Sequence, residues 1–273
     1  MIDIRKLKKL ARNPVQFYFN ETLNMYLKDE EDEEDALFLI SHRQKAILRK
    51  KALESSLDQV LHKRKAQGEL PRGLFQAAAT QELGEEMEDL CKALQYFEVK
   101  PDEISSTCLN PSILKVTLSD SRKVCIVGEL EEVSPKGLIA HATGDLTSLV
   151  KVWPLYLIYR SLNPDNRYLL LTKKEAVLEI PLSDPHAALA SYVEYFLLAK
   201  DRPSPLMPDW AKALLEEEEE DLEKAMAKET DDVYLQYLQR RGKIFEPKEV
   251  FSYWGPMFQR TFSPLLKEKK DAL

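Results

Sequence analysis

The chain has 273 residues, of which 44% are hydrophobic and 31% charged, and its formal net charge is −7 at pH 7. This balance is typical of a folded protein that buries a substantial core. No run approaches the roughly 20 apolar residues that a membrane-spanning helix needs, so no membrane span is expected. Four histidines and eight glycines leave little material for a metal cluster or a glycine-rich phosphate loop. Composition therefore disfavours a zinc enzyme or a nucleotide-binding domain.

The cysteines and the N-terminus indicate the cellular compartment. Cys91, Cys108 and Cys125 form no CxxC pair and cannot all pair with one another. The N-terminal residues lead into an amphipathic pattern without the apolar core of a signal peptide. We therefore expect reduced cysteines and a cytoplasmic protein.

Charge is unevenly distributed along the chain. Five basic residues lie within Arg5–Arg12 and eight more within Ser41–Lys65, while acidic runs occupy 29–35 and 216–221. Blocks of like charge usually mark solvated loops or helix faces, although a basic block can also hold phosphate groups. Each basic block is therefore either an ordinary solvated face or a phosphate-binding surface.

The first hundred residues are predicted to be helical. Asn13–Pro14 opens a helix whose apolar residues continue at helical spacing to Tyr26. Ser41 is the expected N-cap of one basic helix that reaches Lys65, where a segment rich in glycine and proline ends it. A third helix is predicted over 74–97, because its apolar residues recur every three or four positions.

The middle of the chain predicts β-structure, because β-branched runs bounded by polar turns are typical of strands. Strands are expected over 113–118, 123–133, 138–142, 167–172 and 176–180. Asp145 and Asp184 are expected to cap helices, and a proline suited to the first helical turn follows Asp184. From Pro203 onward the pattern is helical again. Its expected aromatic anchors are Trp210, Tyr234, Tyr237, Phe251, Tyr253 and Trp254.

These elements predict a single domain over 1–273, with a helical part (1–100), a sheet core (110–200) and a helical tail (203–273). The expected fold class is α/β (α+β), a small mixed sheet flanked by helices with helical N- and C-terminal extensions. No internal repeat indicates a solenoid.

Familiar catalytic motifs are missing from the sequence, which holds no HExxH, no GxSxG, no Walker A loop and no Cys–His signature. His141 lies beside alanines on a predicted strand, where a packed or hydrogen-bonded core histidine is expected. In a regular strand, Glu129 and Glu131 point to one face and Glu132 to the other. Two carboxylates on one face can bind Mg²⁺ at a phosphodiester-cleaving site, although glutamates near a turn are commonly solvated.

The order of the elements and two short segments carry a resemblance. Gly128-Glu-Leu-Glu131 lies within one predicted strand and Leu138-Ile-Ala-His-Ala142 forms the next. They stand where the PD-(D/E)xK nuclease domains of the RecB kind, which the chain resembles, have Gly-x-x-Asp and hydrophobic-hydrophobic-Asp-x-Lys. Alanines replace the second carboxylate and the lysine, so the resemblance implies a restriction-endonuclease-like fold with no catalytic residues, metal or cofactor. The degenerate nuclease-site positions are Glu129, Glu131, Ala140 and Ala142.

Five segments along the chain carry a second resemblance. They are Arg12–Phe19, Gly68–Phe75, Gly128–Leu138, Pro205–Trp210 and Phe262–Leu266. In this order they are similar to segments of the C-terminal domain of the gamma subunit (RecC) of exodeoxyribonuclease V, the RecBCD helicase–nuclease. The resemblance spans nearly the whole chain but only the last part of that subunit, so we expect the chain to be a portion of a longer protein.

The second resemblance implies an accessory role in double-strand-break repair and recombination. We expect the chain to guide and split forked or single-stranded DNA and to dock the RecB and RecD subunits, without cutting DNA or binding a membrane. The turn 134–137 is one hypothesis for the strand-splitting element. Residues three or four apart share a helix face, which selects a set of candidate DNA contacts in the second basic block, with an ordinary solvated face as the alternative. These candidates are Arg43, Lys45, Arg49 and Lys50.

Two other functions stay open. One is an active metal-dependent DNA nuclease that uses Glu129 and Glu131 with a displaced lysine such as Lys123 or Lys136. The other is a purely protein-binding assembly domain. The net charge of −7 allows it, because non-specific DNA affinity comes chiefly from contacts of lysine and arginine with phosphates.

Overall fold

The computed structural model describes residues 1–27, 40, 42–71, 73–228, 232–242 and 245–267. Within these ranges the chain forms twelve α-helices and seven β-strands. The helices are α1 (Ile4–Arg12), α2 (Pro14–Glu21), α3 (His42–Glu54), α4 (Leu57–Ala66), α5 (Leu74–Tyr96), α6 (Leu146–Leu162), α7 (Pro185–Asp201), α8 (Ala211–Glu216), α9 (Glu219–Ala227), α10 (Val233–Arg240), α11 (Pro247–Tyr253) and α12 (Gly255–Lys267). The strands are β1 (Ile2–Asp3), β2 (Ser105–Leu109), β3 (Lys115–Thr117), β4 (Lys123–Ser134), β5 (Gly137–Ala140), β6 (Tyr168–Leu171) and β7 (Ala176–Glu179).

Most of the sheet attaches to β4. Strand β1 pairs with β4 in parallel, and β2, β3 and β5 each pair with it antiparallel. Strand β6 then pairs in parallel with β5, and β7 antiparallel with β6. The sheet is therefore mixed, and the predicted α/β architecture of a small mixed sheet flanked by helices is confirmed.

Two strands of the sheet are not predicted by the sequence. Strand β1 has only two residues, which is too short for any periodicity to show. Strand β2 begins with Ser-Ser-Thr, and serine and threonine are equally at home in turns. Both strands form by pairing with β4, so they depend on the tertiary structure and not on their local sequence.

The N-terminal helices differ from the prediction at two places. Helix α2 ends five residues before Tyr26, which is exposed. The single basic helix predicted up to Lys65 is two helices, because the Ser56 side chain accepts a hydrogen bond from the Gln59 N–H at 3.3 Å and caps α4. The predicted cap Ser41 lies outside the described residues. The third predicted helix is confirmed as α5.

Both predicted aspartate caps are confirmed. Asp145 Oδ1 accepts a hydrogen bond from the Ser148 N–H at 2.8 Å at the start of α6. Asp184 Oδ1 accepts one from the Ala187 N–H at 3.0 Å at the start of α7. Each carboxylate thereby satisfies an N–H group that has no partner within the first turn of its helix.

Helices cover both faces of the sheet at β5. Leu138 and Ala140 belong to the main core, to which α1, α6 and α7 contribute, whereas Ile139 packs with Leu90 and Leu94 of α5 in a second cluster. Alternate residues of a strand point to opposite faces, so β5 is buried on both. The sequence Gly-Leu-Ile-Ala fits that position, since a strand buried on both faces is continuously apolar.

The C-terminal helices close the main core. The Trp153 indole N–H donates to the Thr261 carbonyl at 3.0 Å and ties α6 to α12. Three of the six predicted anchors are buried and two partly buried: Trp210, Tyr234 and Trp254, then Tyr237 and Phe251. The prediction is wrong for Tyr253, which is 44% exposed. The guanidinium carbon of Arg202 lies over the Tyr253 ring, 4.3 Å from the ring centre.

Helix α1 and strand β4 meet at Gly128. The φ angle of Gly128 is +119°, and a Cβ placed there would lie 2.7 Å from Cγ2 of Ile4. The Gly128→Ala variant should lower the free energy of unfolding by about 1–3 kcal/mol, because both the backbone conformation and the packing resist the added methyl group. Urea unfolding measures this change.

The matched control for this prediction is Gly84→Ala. Gly84 lies inside α5, and no neighbouring group comes within 4 Å of an added Cβ. The control should raise the free energy of unfolding by up to about 1 kcal/mol, because alanine is the better helix former. Equal effects of the two substitutions would contradict the close approach at Gly128.

Candidate functional site

A β-bulge in β4 shapes the region where the sequence places its acidic residues. Ser105 pairs with Val133, but Thr107 pairs with Leu130, so Glu131 and Glu132 together stand opposite one residue of β2. Glu132 adopts the left-handed conformation with φ +60°, which is costly for a residue other than glycine. The bulge interrupts the alternation on which the expected pairing of Glu129 with Glu131 depends.

The glutamates around the bulge have different partners. Ser106 donates a hydrogen bond to the Glu129 carboxylate. Lys50 of α3 lies 2.8 Å from Glu131 Oε1. The pKa of Glu131 is lowered by the hydrogen bond from Lys50 and by the charges of Lys50 and Lys8, while desolvation opposes the shift. Glu129 and Glu131 therefore do not share a partner, and the ion pair with Lys50 keeps Glu131 ionised.

Three cations lie near Glu132. Desolvation by the neighbouring protein raises the pKa of Glu132, although part of the residue is exposed to solvent. The charges of Arg49, Lys8 and Lys50 oppose that rise, and the negative charge of Glu131 adds to it. The bulge therefore brings Glu131 and Glu132 together with cations from α1 and α3.

His141 follows the end of β5. Its Nδ1 lies 2.9 Å from Thr172 Oγ1, so the expected hydrogen bond is confirmed. The expected core position is wrong, because the Ala142 N–H donates to the Ala140 carbonyl in a tight turn that ends the strand and leaves His141 exposed. Desolvation, together with the charges of Arg49 and Lys173, lowers the pKa of His141 to about 4. The imidazole is therefore neutral at pH 7.

Ala140 and Ala142 lie in the main core and are each 4% exposed. The turn between them means that they do not occupy alternate positions of one strand. A carboxylate or an ammonium group at either position would be buried among apolar side chains, which costs several kcal/mol without a partner. These two positions therefore do not line an opening that a substrate could enter.

The candidate DNA contacts on α3 are mostly held in ion pairs. Lys45 is only 8% exposed and pairs with Glu82 and Glu86 of α5. Arg49 Nη1 lies 3.7 Å from Glu86 Oε2, and Lys50 pairs with Glu131. The side chain of Arg43 lies outside the described part of the chain. The candidate contacts thus fasten α3 to α5 and to β4, a role that helical spacing alone does not reveal.

Lys8 and Lys173 complete the group of cations and are missed by sequence reasoning. Lys8 lies on α1 and Lys173 follows β6, so about 165 positions separate them (173 − 8). Lys8 stands in the first basic block, from which the sequence selects no single residue, and Lys173 stands in a stretch without a pattern that marks a site. Only the pairing of β4, β5 and β6 brings their elements together.

The turn 134–137 is short and held by its neighbours. Ser134 Oγ donates to the Gly137 carbonyl at 2.9 Å and accepts from the Gly137 N–H at 3.2 Å. Lys136 Nζ lies 3.1 Å from Glu98 Oε2, and Asn166 donates to the Pro135 carbonyl at 2.9 Å. The two residues at its tip, 135 and 136, are exposed, which is what contact with DNA or another protein would require.

Lys50 is the lysine next to the acidic residues of β4. Lys123 stands eight residues from Glu131 on the same strand, about 26 Å away at about 3.3 Å per residue. The ammonium group of Lys136 is engaged by Glu98. Neither lysine that the sequence offers for a displaced nuclease site therefore approaches Glu131.

Metal and membrane features follow from the described residues alone. Among them, no three His, Cys, Asp or Glu side chains converge in a way that could hold a metal ion. In the same part of the chain, no helix is long and apolar enough to cross a membrane.

The comparison with protein families decides the relationship. The family model of the RecC C-terminal domain matches residues 1–219. The chain belongs to this family. RecC proteins are subunits of exodeoxyribonuclease V, the RecBCD complex of DNA repair, so membership gives the chain a subunit role in that process. The match includes the whole sheet and ends at the start of α9. Comparison with curated proteins gives no match.

The burial of Ala140 and Ala142 makes a prediction about charged side chains at these two positions. The double variant Ala140→Asp, Ala142→Lys should lose about 3–5 kcal/mol of unfolding free energy, the usual cost of a buried charge without a partner. Urea unfolding measures the loss. Ala78→Asp, at an exposed position of α5, is the matched control and should change stability by less than about 1 kcal/mol. A double variant as stable as the control would show that these positions are accessible.

His141 makes a prediction about pH dependence. Its pKa of about 4 lies below the usual value of about 6.5, so the unfolded chain binds more protons between these two values. The free energy of unfolding should therefore fall as pH decreases through this window and be unaffected by His141 above it. NMR titration of the imidazole measures the pKa directly. His141→Gln should remove the signal and His186→Gln should leave it, whereas a midpoint near 6.5 would contradict the environment described.

Proposed function

We propose that this chain is a non-catalytic domain of a RecBCD-type helicase–nuclease. It guides and splits DNA strands and docks the RecB and RecD subunits in double-strand-break repair and recombination. One observation carries the non-catalytic part: Ala140 and Ala142, which stand where nucleases of the PD-(D/E)xK kind have a carboxylate and a lysine, are packed in the core. Family membership supports the role in the complex.

The proposal includes a restriction-endonuclease-like fold. The order β3, β4, β5 and α6, with a glycine-x-x-acid segment inside β4, supports it. The main core takes residues from Ile2 to Leu265, which supports one domain over 1–273. Three free cysteines support a reducing compartment, and we propose the cytoplasm.

The candidate DNA contacts Arg43, Lys45, Arg49 and Lys50 remain part of the proposal, with different roles. Lys50 is half exposed, at 53% of its side-chain surface, and faces solvent at the bulge. Lys45 and Arg49 are at most 18% exposed along their side chains and hold α3 in place. A contact with DNA therefore depends directly on Lys50 and indirectly on the other two.

The alternative of an active nuclease has one observation in its favour. Lys50 lies beside the ionised Glu131, and a carboxylate next to a lysine is part of what metal-dependent phosphodiester cleavage requires. The second carboxylate at that site would have to be Glu129 or Glu132. An assembly domain that never touches DNA is the third possibility, and the same experiment separates all three.

The deciding experiment uses labelled forked DNA with the purified chain in Mg²⁺, in Mn²⁺ and in EDTA, across a salt series. We expect intact DNA in every condition and binding that weakens as salt rises. Cleavage that disappears with EDTA and in Glu131→Ala, but persists in the control Glu88→Ala at an exposed position of α5, would establish a nuclease. Intact DNA without binding at low salt, together with capture of RecB or RecD, would establish an assembly domain.

A further inference from the structure

Cationic side chains from three separate parts of the chain meet at one end of the sheet. Lys50 of α3 lies 2.8 Å from Glu131 in the β4 bulge, and Arg49 precedes it on the same helix. Lys8 of α1 stands one helical turn beyond Ile4, the residue against which Gly128 of β4 packs. Residues four apart lie on the same helix face, and Lys8 stands close enough to the bulge for its charge to act on both Glu131 and Glu132.

Lys173 approaches the same region from β6. The Thr172 N–H donates to the Ala140 carbonyl at 3.0 Å, and Thr172 Oγ1 lies 2.9 Å from His141 Nδ1. Lys173 is the next residue and is exposed. The cations thus extend over three adjacent strands, β4, β5 and β6, which is a width of about 10 Å at about 4.8 Å per strand spacing.

We propose that Lys8, Lys50 and Lys173 form a track that binds the phosphate backbone of a single DNA strand across this end of the sheet, with Arg49 beneath it. The inference rests on the proposed function and assigns its DNA contacts to a surface, hereafter the cation track, of which Lys8 and Lys173 are new members.

The cations of the track are available to a ligand. Lys8 and Lys173 are exposed, and neither makes an ion pair with another residue of the described ranges. The pair of Lys50 with Glu131 is about half exposed on both sides, at 53% and 42%. An ion pair in such a position contributes less than about 1 kcal/mol. A phosphate that binds Lys50 therefore competes with Glu131 in a pair that is open to solvent on both sides.

The shape of the region favours a single strand over a duplex. Reading a duplex groove requires a helix or a two-stranded ribbon that projects into it, whereas the track crosses strand ends in the body of the sheet. Proteins that hold single strands combine a line of cations with flat rings on which bases stack. His141 supplies an exposed ring between Arg49 and Lys173, and its lowered pKa keeps it neutral at pH 7.

Salt dependence provides the test. Fluorescence anisotropy with a labelled single-stranded oligonucleotide gives the slope of log affinity against log salt for the whole chain. Each lost phosphate contact reduces the magnitude of that slope by about 0.7 for a single strand. Lys8→Ala, Lys173→Ala should therefore reduce it by about 1.4. Both side chains are exposed, so the variant should fold, and its unfolding midpoint checks this.

The matched control removes two positive charges elsewhere. Lys212→Ala, Lys224→Ala changes lysines on α8 and α9 that lie beside Glu216 and Asp221. We expect the wild-type slope and affinity for this control. Equal slopes for wild type and for the Lys8 and Lys173 variant would overturn the cation track, while leaving the proposed DNA-guiding function to another surface.

A second pair of variants tests the competition at Lys50. Glu131→Gln removes the carboxylate that occupies Lys50 and should strengthen binding of the single strand several-fold at low salt. Glu129→Gln, whose carboxylate is bonded to Ser106 instead, should leave binding unchanged. Weaker binding in Glu131→Gln would overturn the competition and with it the inference.

The test also separates failure of the inference from failure of the proposed function. No binding of the single strand by wild type at low salt, with binding of forked duplex retained, overturns the track alone. No binding of either DNA overturns both the track and the DNA part of the proposed function. If the Lys8 and Lys173 variant then also loses capture of RecB or RecD, the track is a surface for an acidic protein segment.

Discussion

The coverage of both sheet faces at β5 decides where polar chemistry is possible in this protein. Leu138 and Ala140 face the main core and Ile139 faces α5, so the middle of the sheet has no solvent-facing side. A charged group there would lose its hydration without gaining a partner. Next to β5, the ionisable side chains therefore lie where the regular pairing stops, at the bulge in β4 and in the turn after β5.

The bulge and helix α3 depend on each other. A left-handed residue other than glycine, here Glu132, persists when the surrounding structure holds it in place. Helix α3 contacts the bulge through the pair of Lys50 with Glu131, and α3 is itself held to α5 by Lys45 and Arg49. The ion pairs of Lys45, Arg49 and Lys50 are weak individually where they are exposed, but Lys45 is buried and fixes the helix. On this one basic helix, Lys45 and Arg49 therefore anchor the helix, whereas Lys50 faces solvent.

The sequence predicts those parts of the fold that local rules determine. The caps Asp145 and Asp184, helix α5 and five of the strands follow from short patterns, and each lies close to its expected position. The two-residue strand β1 and the bulge do not, because each depends on a partner distant in the chain. The interruption at Ser56 rests on a local cap, which the run of helix-forming residues on both sides of it conceals in the sequence. The candidate site likewise has a part that the sequence predicts and a part that it does not. Its acidic residues lie on a predicted strand, but the cations around them come from α1, α3 and the end of β6.

The distribution of charge explains how an acidic chain can present a cationic surface. The net charge of −7 describes the whole molecule, but at physiological salt interactions between exposed charges are screened beyond about 8 Å. The run at 216–221 on α8 and α9 therefore contributes little at the bulge unless it lies within that distance. Desolvation is the first cause of the lowered pKa of His141, and the charges of Arg49 and Lys173 lower it further. These two cations stand close enough to the imidazole to act on its charge. A phosphate group that approached this end of the sheet would meet the same two cations, although the molecule as a whole is acidic.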